Sequence, residues 1–389
     1  MDSIQGREDK IKVIHVTACR RLSQGQRKQL KYEVACHGQL ENVEWSTVAF
    51  HTGKIVEPFE KKIPWGFRPL FLRELYAWWM VLRMSKKYDI VLLRHMTFDP
   101  FSMLLSPLVK NRVSVHHAKE IEELRLIRPG VTGYLSSVLE KFAGSFSNRH
   151  SLGVLGVTHE IADYEVRRVA SRQIVHDAYP NGVDVRQVVL AKDFRSGNEV
   201  NAIFICGKFS SWHGLDRLVQ AVDGSACENI ELNLKVHLVG DLSKEQVSEI
   251  AATPHRVRTF IWHGLLEEDE YVEIVSLCDI GFSSFAMDRK GLKEGALLKV
   301  RELLAMGLPI YSTSEDTAIP DSFPYYFNDS RVNIASMVTY AERLKPVPRS
   351  EVRAASERYI SKVIFMKSVV MWIRGELLSA RDGRFPLAD

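Results

Sequence analysis

Glu294 and Glu302 stand eight positions apart, with Gly295-Ala296-Leu297-Leu298-Lys299-Val300-Arg301 between them. The stretch passes from loop into an amphipathic helix. A helix start presents unpaired N–H groups and the positive end of the helix dipole, which suits a diphosphate. Glu302, one turn or so inside that helix, can accept both hydroxyls of a ribose. Glu294, in the loop, can face a sugar. Gly307 fits a helix C-cap and Pro309 a chain restart. By themselves these residues describe an ordinary capped helix equally well.

The elements that must position them follow from hydrophobic periodicity. Lys12–Val16 reads as a short buried strand, followed by a polar glycine-containing turn, Arg20–Gly25, and a helix over Gln26–Ala35. This is the opening of a doubly wound α/β domain. Strands are expected at Val43–Phe50, Ile90–Arg94, Val113–His116 and Leu152–Thr158, with helices near Phe71–Lys87, Gly133–Phe146 and His159–Arg168. A second series follows the turn Tyr179-Pro180-Asn181-Gly182 and a polar linker, Lys192–Glu199. It has strands at Val200–Cys206, Leu232–Val239, Val257–Trp262 and Ile280–Ser283, and helices at Leu215–Val222, Glu268–Leu277 and Leu298–Met306. Alternation of this kind predicts parallel sheets covered on both faces. The expected domains are residues 1–181, residues 182–365, and a last helix, 366–389, that is a candidate to pack back on the first domain. Ligands of such sheets bind at the carboxyl ends of strands, so a cleft between the domains is the default site.

Glu294 and Glu302, followed by Leu303-Leu304-Ala305-Met306-Gly307-Leu308-Pro309, resemble the donor-binding motif of the retaining family-four glycosyltransferases, in particular the bacterial exopolysaccharide and capsule branch. Leu297 stands where that branch often has proline. The resemblance implies a GT-B fold, two doubly wound Rossmann-like domains facing a central cleft. It assigns the donor ribose to Glu302, the donor sugar to Glu294 and the diphosphate to helix N–H groups near Leu298. Pro180-Asn181-Gly182-Val183-Asp184 resembles the segment opening the family's second domain. Gly207-Lys208, then His213-Gly214, resembles its glycine-basic…basic-glycine loop, with His213 where lysine is usual. Trp262-His263-Gly264-Leu265 resembles its base-binding segment. In the first half, Gly25 sits where the family has a glycine-rich loop near the donor phosphates. His116 follows a strand, as the family's active-site histidine does, and the adjacent His117 is the alternative.

The resemblance implies a retaining hexosyltransferase that needs no metal and no cofactor. It would use a nucleotide-sugar donor and a glycan or lipid-linked acceptor in cell-surface polysaccharide synthesis. A sugar-nucleotide epimerase of the same fold and a non-catalytic binding subunit are the alternatives. No dinucleotide fingerprint, P-loop, nucleophile elbow, His-Glu-x-x-His or Asp-x-Asp is present.

Composition agrees with a globular protein: 389 residues, 46% hydrophobic and 26% charged. That is room for two cores. The five cysteines, Cys19, Cys36, Cys206, Cys227 and Cys278, are scattered without metal-ligand spacing and are expected as free thiols. Met1–Lys10 lacks the apolar core of a leader, and no run is long enough to span a bilayer, so a cytoplasmic location is expected. The net charge of +4 divides unevenly: residues 1–150 carry 24 Lys+Arg against 15 Asp+Glu, and the remainder is acidic. A basic first half suits a phosphate-bearing acceptor or a membrane surface. Aromatics over Pro64–Trp79, interleaved with Arg68, Arg73 and Arg83, suit peripheral contact at the inner membrane face. Nucleic acid would account for the basic half but for none of the later motifs.

Overall fold

The computed structural model describes residues 10–69, 71–128, 130–169, 174–195, 197–227 and 233–378. The chain divides into two compact units, Met1–Pro180 with Lys362–Asp389, and Asn181–Ser361. The stretch expected as a linker belongs to the second unit. Arg195 there pairs with Asp193 and donates to the Val347 carbonyl at 2.9 Å.

Among the described residues the first unit holds a seven-stranded parallel sheet. Its strands are β1 (Ile11–Ala18), β2 (Val43–His51), β3 (Glu60–Lys62), β4 (Ile90–Arg94), β5 (Arg112–His116), β6 (Gly153–Gly156) and β7 (His176–Ala178), in the order β3-β2-β1-β4-β5-β6-β7. The central strands are buried on both faces, which explains why β4 reads as a continuous apolar run rather than an alternating one. Trp78 and Val81 of the helix Leu72–Met84 pack on Ile14, Val16, Val91 and Leu93. The opposite face of that helix carries exposed Trp79, with the Arg83 guanidinium 4.8 Å from its ring. No helix among the described residues is long and apolar enough to cross a membrane.

The return of the chain to this unit begins at Lys362. Its ammonium lies 3.6 Å from the centre of the Tyr179 ring and 3.7 Å from the Glu33 carboxylate. Glu33 also accepts from Thr47 at 2.6 Å, Tyr179 at 2.8 Å and His15 at 3.0 Å. Burial pushes the Lys362 ammonium down to about 8, against the pull of Glu33. A buried charge needs such partners. The returning helix, Lys362–Trp372, thus starts ahead of residue 366, because its first residue is already committed to the first unit's core.

The second unit holds a six-stranded parallel sheet of β8 (Val200–Lys208), β9 (Leu234–Asp241), β10 (Phe260–Gly264), β11 (Ile280–Phe282), β13 (Ile310–Ser312) and β15 (Tyr326–Asn328), ordered β10-β9-β8-β11-β13-β15. A short parallel ribbon pairs β12 (Glu294–Gly295) with β14 (Glu315–Asp316). The strand expected at Val257–Trp262 starts later. Pro254 opens a helix, Pro254–Thr259, for which its fixed φ is suited, and Arg256 ties that helix to Asp223 at 2.8 Å.

Both sheets reverse their winding once, between β1 and β4 in the first unit and between β8 and β11 in the second. Loops after these strands diverge and leave a crevice at their carboxyl ends.

Candidate active site

In the second unit the crevice is built around the end of β8. Gly207 and Lys208 are exposed there, and no atom lies within 4 Å of the position a Gly207 Cβ would take. The loop then turns through Ser210–Gly214. Gly214 has φ +75°, and a Cβ on it would stand 2.8 Å from the Phe285 Cβ, so the loop reaches this position only with glycine. His213 Nδ1 accepts from the Ser210 N–H at 2.9 Å, which leaves its proton on Nε2 as a donor. Burial, with Lys299 and Lys290 nearby, pushes the imidazole down to about 3. His213 is therefore a neutral hydrogen-bond donor rather than a second cation.

A cation does lie beside His213, on Lys299. Its ammonium reaches the Cys206 sulfur at 3.5 Å and the Ser283 carbonyl at 3.4 Å, and lies 4.5 Å from the centre of the Phe204 ring. It thus stands under the ends of β8 and β11, with its pKa lowered by burial. Lys299 is the second residue of the helix Leu298–Ala305. Leu297, the residue before that helix, has no side-chain oxygen to cap it, so the N–H groups at Leu298 and Lys299 face outward as anion donors.

Asn181 fixes how this helix is approached. Its side-chain N–H donates to the Ala296 carbonyl at 2.7 Å, while its own carbonyl accepts from Arg301 Nε at 3.1 Å. Arg301 is fully buried and pairs with Asp316 of β14 at 2.5 Å. Helix, ribbon and turn are thereby locked together, and Glu294 is held at the ribbon's edge. Its carboxylate accepts from Thr317 Oγ at 2.6 Å. Glu302 lies within the same helix, 8% exposed. Beyond β9, Gly240 has φ +137° and no room for a Cβ against the Cys206 carbonyl. Trp262 and His263 end β10. Trp262 Nε1 donates to the Gly240 carbonyl at 2.9 Å, and His263 stacks on His237.

In the first unit a cavity of 310 Å³ opens at the ends of β1, β4 and β5, lined by Cys19, Arg20, Arg94, His117, Glu120 and Glu123 among others. His117 Nε2 and Arg94 Nη1 are buried there without a hydrogen-bond partner among the described residues. Burial, reinforced by Arg94 and His15, holds the His117 imidazole well below its usual range, so it is neutral. Burial lowers Arg94 to about 10, which leaves it charged at neutral pH.

His116 does not line this cavity. It is fully buried, with Nδ1 donating to Glu120 at 3.0 Å and Nε2 within reach of Ser114 at 2.9 Å and Asn148 at 3.1 Å. Its ring stacks on His95 at 4.5 Å. The sequence position marked by His116 is therefore filled, at the cavity, by His117. Gly25 is the second residue of the helix Gln24–Cys36 and is exposed, with nothing within 4 Å of a Cβ position. The neighbouring Ser23 and Gln26 close a capping box on each other.

No family model matches the sequence, and no curated protein does. Solved structures match it over nearly the whole chain. It is similar to the apo form of the lipopolysaccharide outer core galactosyltransferase WaaB, with 12% identity over 94% of this chain and 100% of that one, at a TM-score of 0.59. It is similar to an α-glucosyltransferase in complex with UDP and a 13-mer DNA, with 11% identity over 94% and 99%, at 0.60. Sucrose-phosphate synthase from Thermosynechococcus elongatus matches with 12% identity over 95% and 100%, at 0.57. The chain has the GT-B fold.

Within this GT-B chain the sequence-selected residues divide by unit. Lys208, His213, Glu294, Leu298 and Glu302 belong to the second, Gly25 and His116 to the first. Sequence reasoning missed Lys299, Arg94 and Arg20. Lys299 was available as the one cation between Glu294 and the buried Arg301, at the helix start where a diphosphate is expected. Arg94 and Arg20 were available as cations at the end of β4 and just beyond β1.

Proposed function

We propose that this protein is a retaining glycosyltransferase that moves a hexosyl group from a nucleoside-diphosphate sugar to a glycan or lipid-linked acceptor of a cell-surface polysaccharide. The observation that carries the reading is the convergence, at the switch point of the second unit, of Lys299, neutral His213 and an uncapped helix start. These are donors for a diphosphate, with Glu302 one turn further into the helix for the ribose and Glu294, oriented by Thr317, for the sugar.

The bond between the anomeric carbon and the diphosphate oxygen breaks while negative charge collects on the diphosphate. Lys299, the His213 Nε2–H and the helix N–H groups are fixed in place before that charge develops, the arrangement in which electrostatic stabilisation is strongest, and exposed Lys208 stands at the same strand end. The acceptor hydroxyl bonds to the anomeric carbon and passes its proton to the departing diphosphate oxygen. His117 Nε2 and Arg94 are the unsatisfied groups of the first unit that would bond sugar or acceptor oxygens. No step requires a metal or cofactor. Exposed Trp65 and Trp79 support a peripheral membrane contact of the first unit.

The test incubates purified protein with a panel of nucleotide sugars, with and without membrane lipid extract, and scores released nucleoside diphosphate. One donor should release it, more with extract, and Glu302→Ala should abolish both release and donor binding. Survival of both in that variant overturns the site. A second reading comes from a similar structure, a putative UDP-N-acetylglucosamine 2-epimerase from Listeria monocytogenes, with 11% identity over 97% of this chain and 98% of that one, at a TM-score of 0.52. An epimerase would return an isomeric nucleotide sugar and need no acceptor, which the same assay distinguishes.

A further inference from the structure

A second depression, of 700 Å³, lies beside the switch-point cavity of the first unit and shares Arg20 with it. It is formed by the segments following β1 and β2. The Arg20 carbonyl ties them together, accepting from the Thr52 N–H at 3.1 Å and from Thr52 Oγ at 2.7 Å. Arg20, Arg21, Arg27, Lys54 and Lys62 line the depression, and no carboxylate does.

One neighbouring acid is consumed behind the wall. Glu60 accepts from Arg27 Nε at 2.5 Å, from His51 Nε2 at 3.0 Å and from the Val56 N–H at 3.0 Å. These bonds hold the loop and neutralise one of the cations. The charges of Arg20, Arg21, Lys54 and Lys62 have no acidic partner among the described residues. Like charges gathered on one set of loops repel, weakly because solvent screens them, and an anion held among them reduces that repulsion.

We propose that this depression is the anion subsite for the acceptor, taking a phosphate or diphosphate that the acceptor carries close to its reacting hydroxyl. The assignment rests on reading the adjoining cavity, with His117 and Arg94, as the place where sugar and acceptor oxygens sit. The shared Arg20 puts the two sites side by side. A compact, multiply charged anion fits better than a dispersed one, because two guanidinium groups and two ammonium groups converge on a single concavity.

The test titrates inorganic pyrophosphate into the full-length chain by calorimetry, with the nucleoside diphosphate of the donor selected by the panel assay present in excess so that the donor site is filled. A binding event is expected in the wild type, weakened roughly tenfold or more in Arg21→Ala/Lys54→Ala. Both residues are exposed, so the variant should fold, which its melting temperature checks. Binding of that nucleoside diphosphate should be unchanged in it. Unchanged pyrophosphate binding in the double variant overturns the proposal. Absence of nucleoside-diphosphate release and binding across the whole donor panel would instead overturn the donor reading, so the two failures are distinguishable. Competition by farnesyl diphosphate in phosphatidylcholine vesicles assigns the anion to a lipid carrier, and competition by glucose 6-phosphate assigns it to a phosphorylated glycan. Competition by neither overturns the assignment to an acceptor.

Discussion

His116 and His117 are consecutive, yet the first has its ring nitrogens 3.0 Å from Glu120 and 3.1 Å from Asn148 in the interior, and the second has a bare Nε2 at the cavity. His116 is the last residue of β5 and is fully enclosed, while His117 is the first residue beyond the strand and is only partly covered. His116→Ala is expected to destabilise the protein by about 2–4 kcal/mol, because it leaves Glu120 and Asn148 buried with a lost partner. His117→Ala is expected to leave the melting temperature nearly unchanged and to lower transfer at least tenfold. Thermal melts beside turnover measurements separate the two. Equal loss of stability in both variants would contradict the division.

Lys299 is the cation beside neutral His213 and, in the proposed function, a partner of the donor diphosphate. Lys299→Met keeps the length of the side chain and suits its contacts with Phe204 and Cys206. Removing a poorly solvated charge from such a place is often neutral or stabilising. The expected result is unaltered or higher stability with donor affinity down roughly tenfold, read by calorimetry with the nucleoside diphosphate of the donor that the panel identifies. Unaltered binding of it would make Lys299 a packing residue only.

Gly214 tests whether the loop's shape matters as much as its side chains. An alanine there must take a positive φ and meet Phe285 at 2.8 Å. Strain of this kind costs about 1–3 kcal/mol. The loop should shift to relieve it and carry His213 away, so donor affinity should fall even though no donor-contacting side chain is removed. Titration of Gly214→Ala with the nucleoside diphosphate of the donor that the panel identifies checks this. Gly207→Ala, with open space around it, is the control for steric effects within the loop.

The sequence was most legible where function depends on neighbours along the chain. Glu294, Glu302 and the helix start between them are set by one loop-helix junction, and their register survives in the fold. It was less legible where a contact joins distant segments. Lys299 looks like a helix-surface lysine until β8 places Cys206 beneath it. Lys362 looks like the start of an exposed helix until Glu33, more than three hundred residues earlier, takes its charge. That His116 and His117 follow a strand was visible, but which of them reaches the cavity depends on Glu120, Asn148 and Glu165 converging on His116 from three other segments. The short β3 and β7, of three residues each, carry too little periodicity to be read alone.

The network behind the cavity should give the protein a definite pH response. Burial alone would lower the pKa of His95, but the Glu140 carboxylate, 2.9 Å away and helped by Glu120 and Glu165, outweighs it and raises the imidazole to about 9 from 6.5. A folded-state pKa above the unfolded one means the folded protein binds the extra proton between those values. The stabilisation is then complete below pH 6.5 and is lost as pH rises through about 9, by roughly 3 kcal/mol at most. Lys362 works in the opposite direction at higher pH. Its folded value of about 8 lies below 10.5, so stability attributable to it rises between those two. Denaturant unfolding of the wild type from pH 6 to 8 should therefore show falling stability. His95→Gln, which keeps a donor toward Glu140 but cannot titrate, should flatten that slope. A slope that persists in the variant would place its origin in another group.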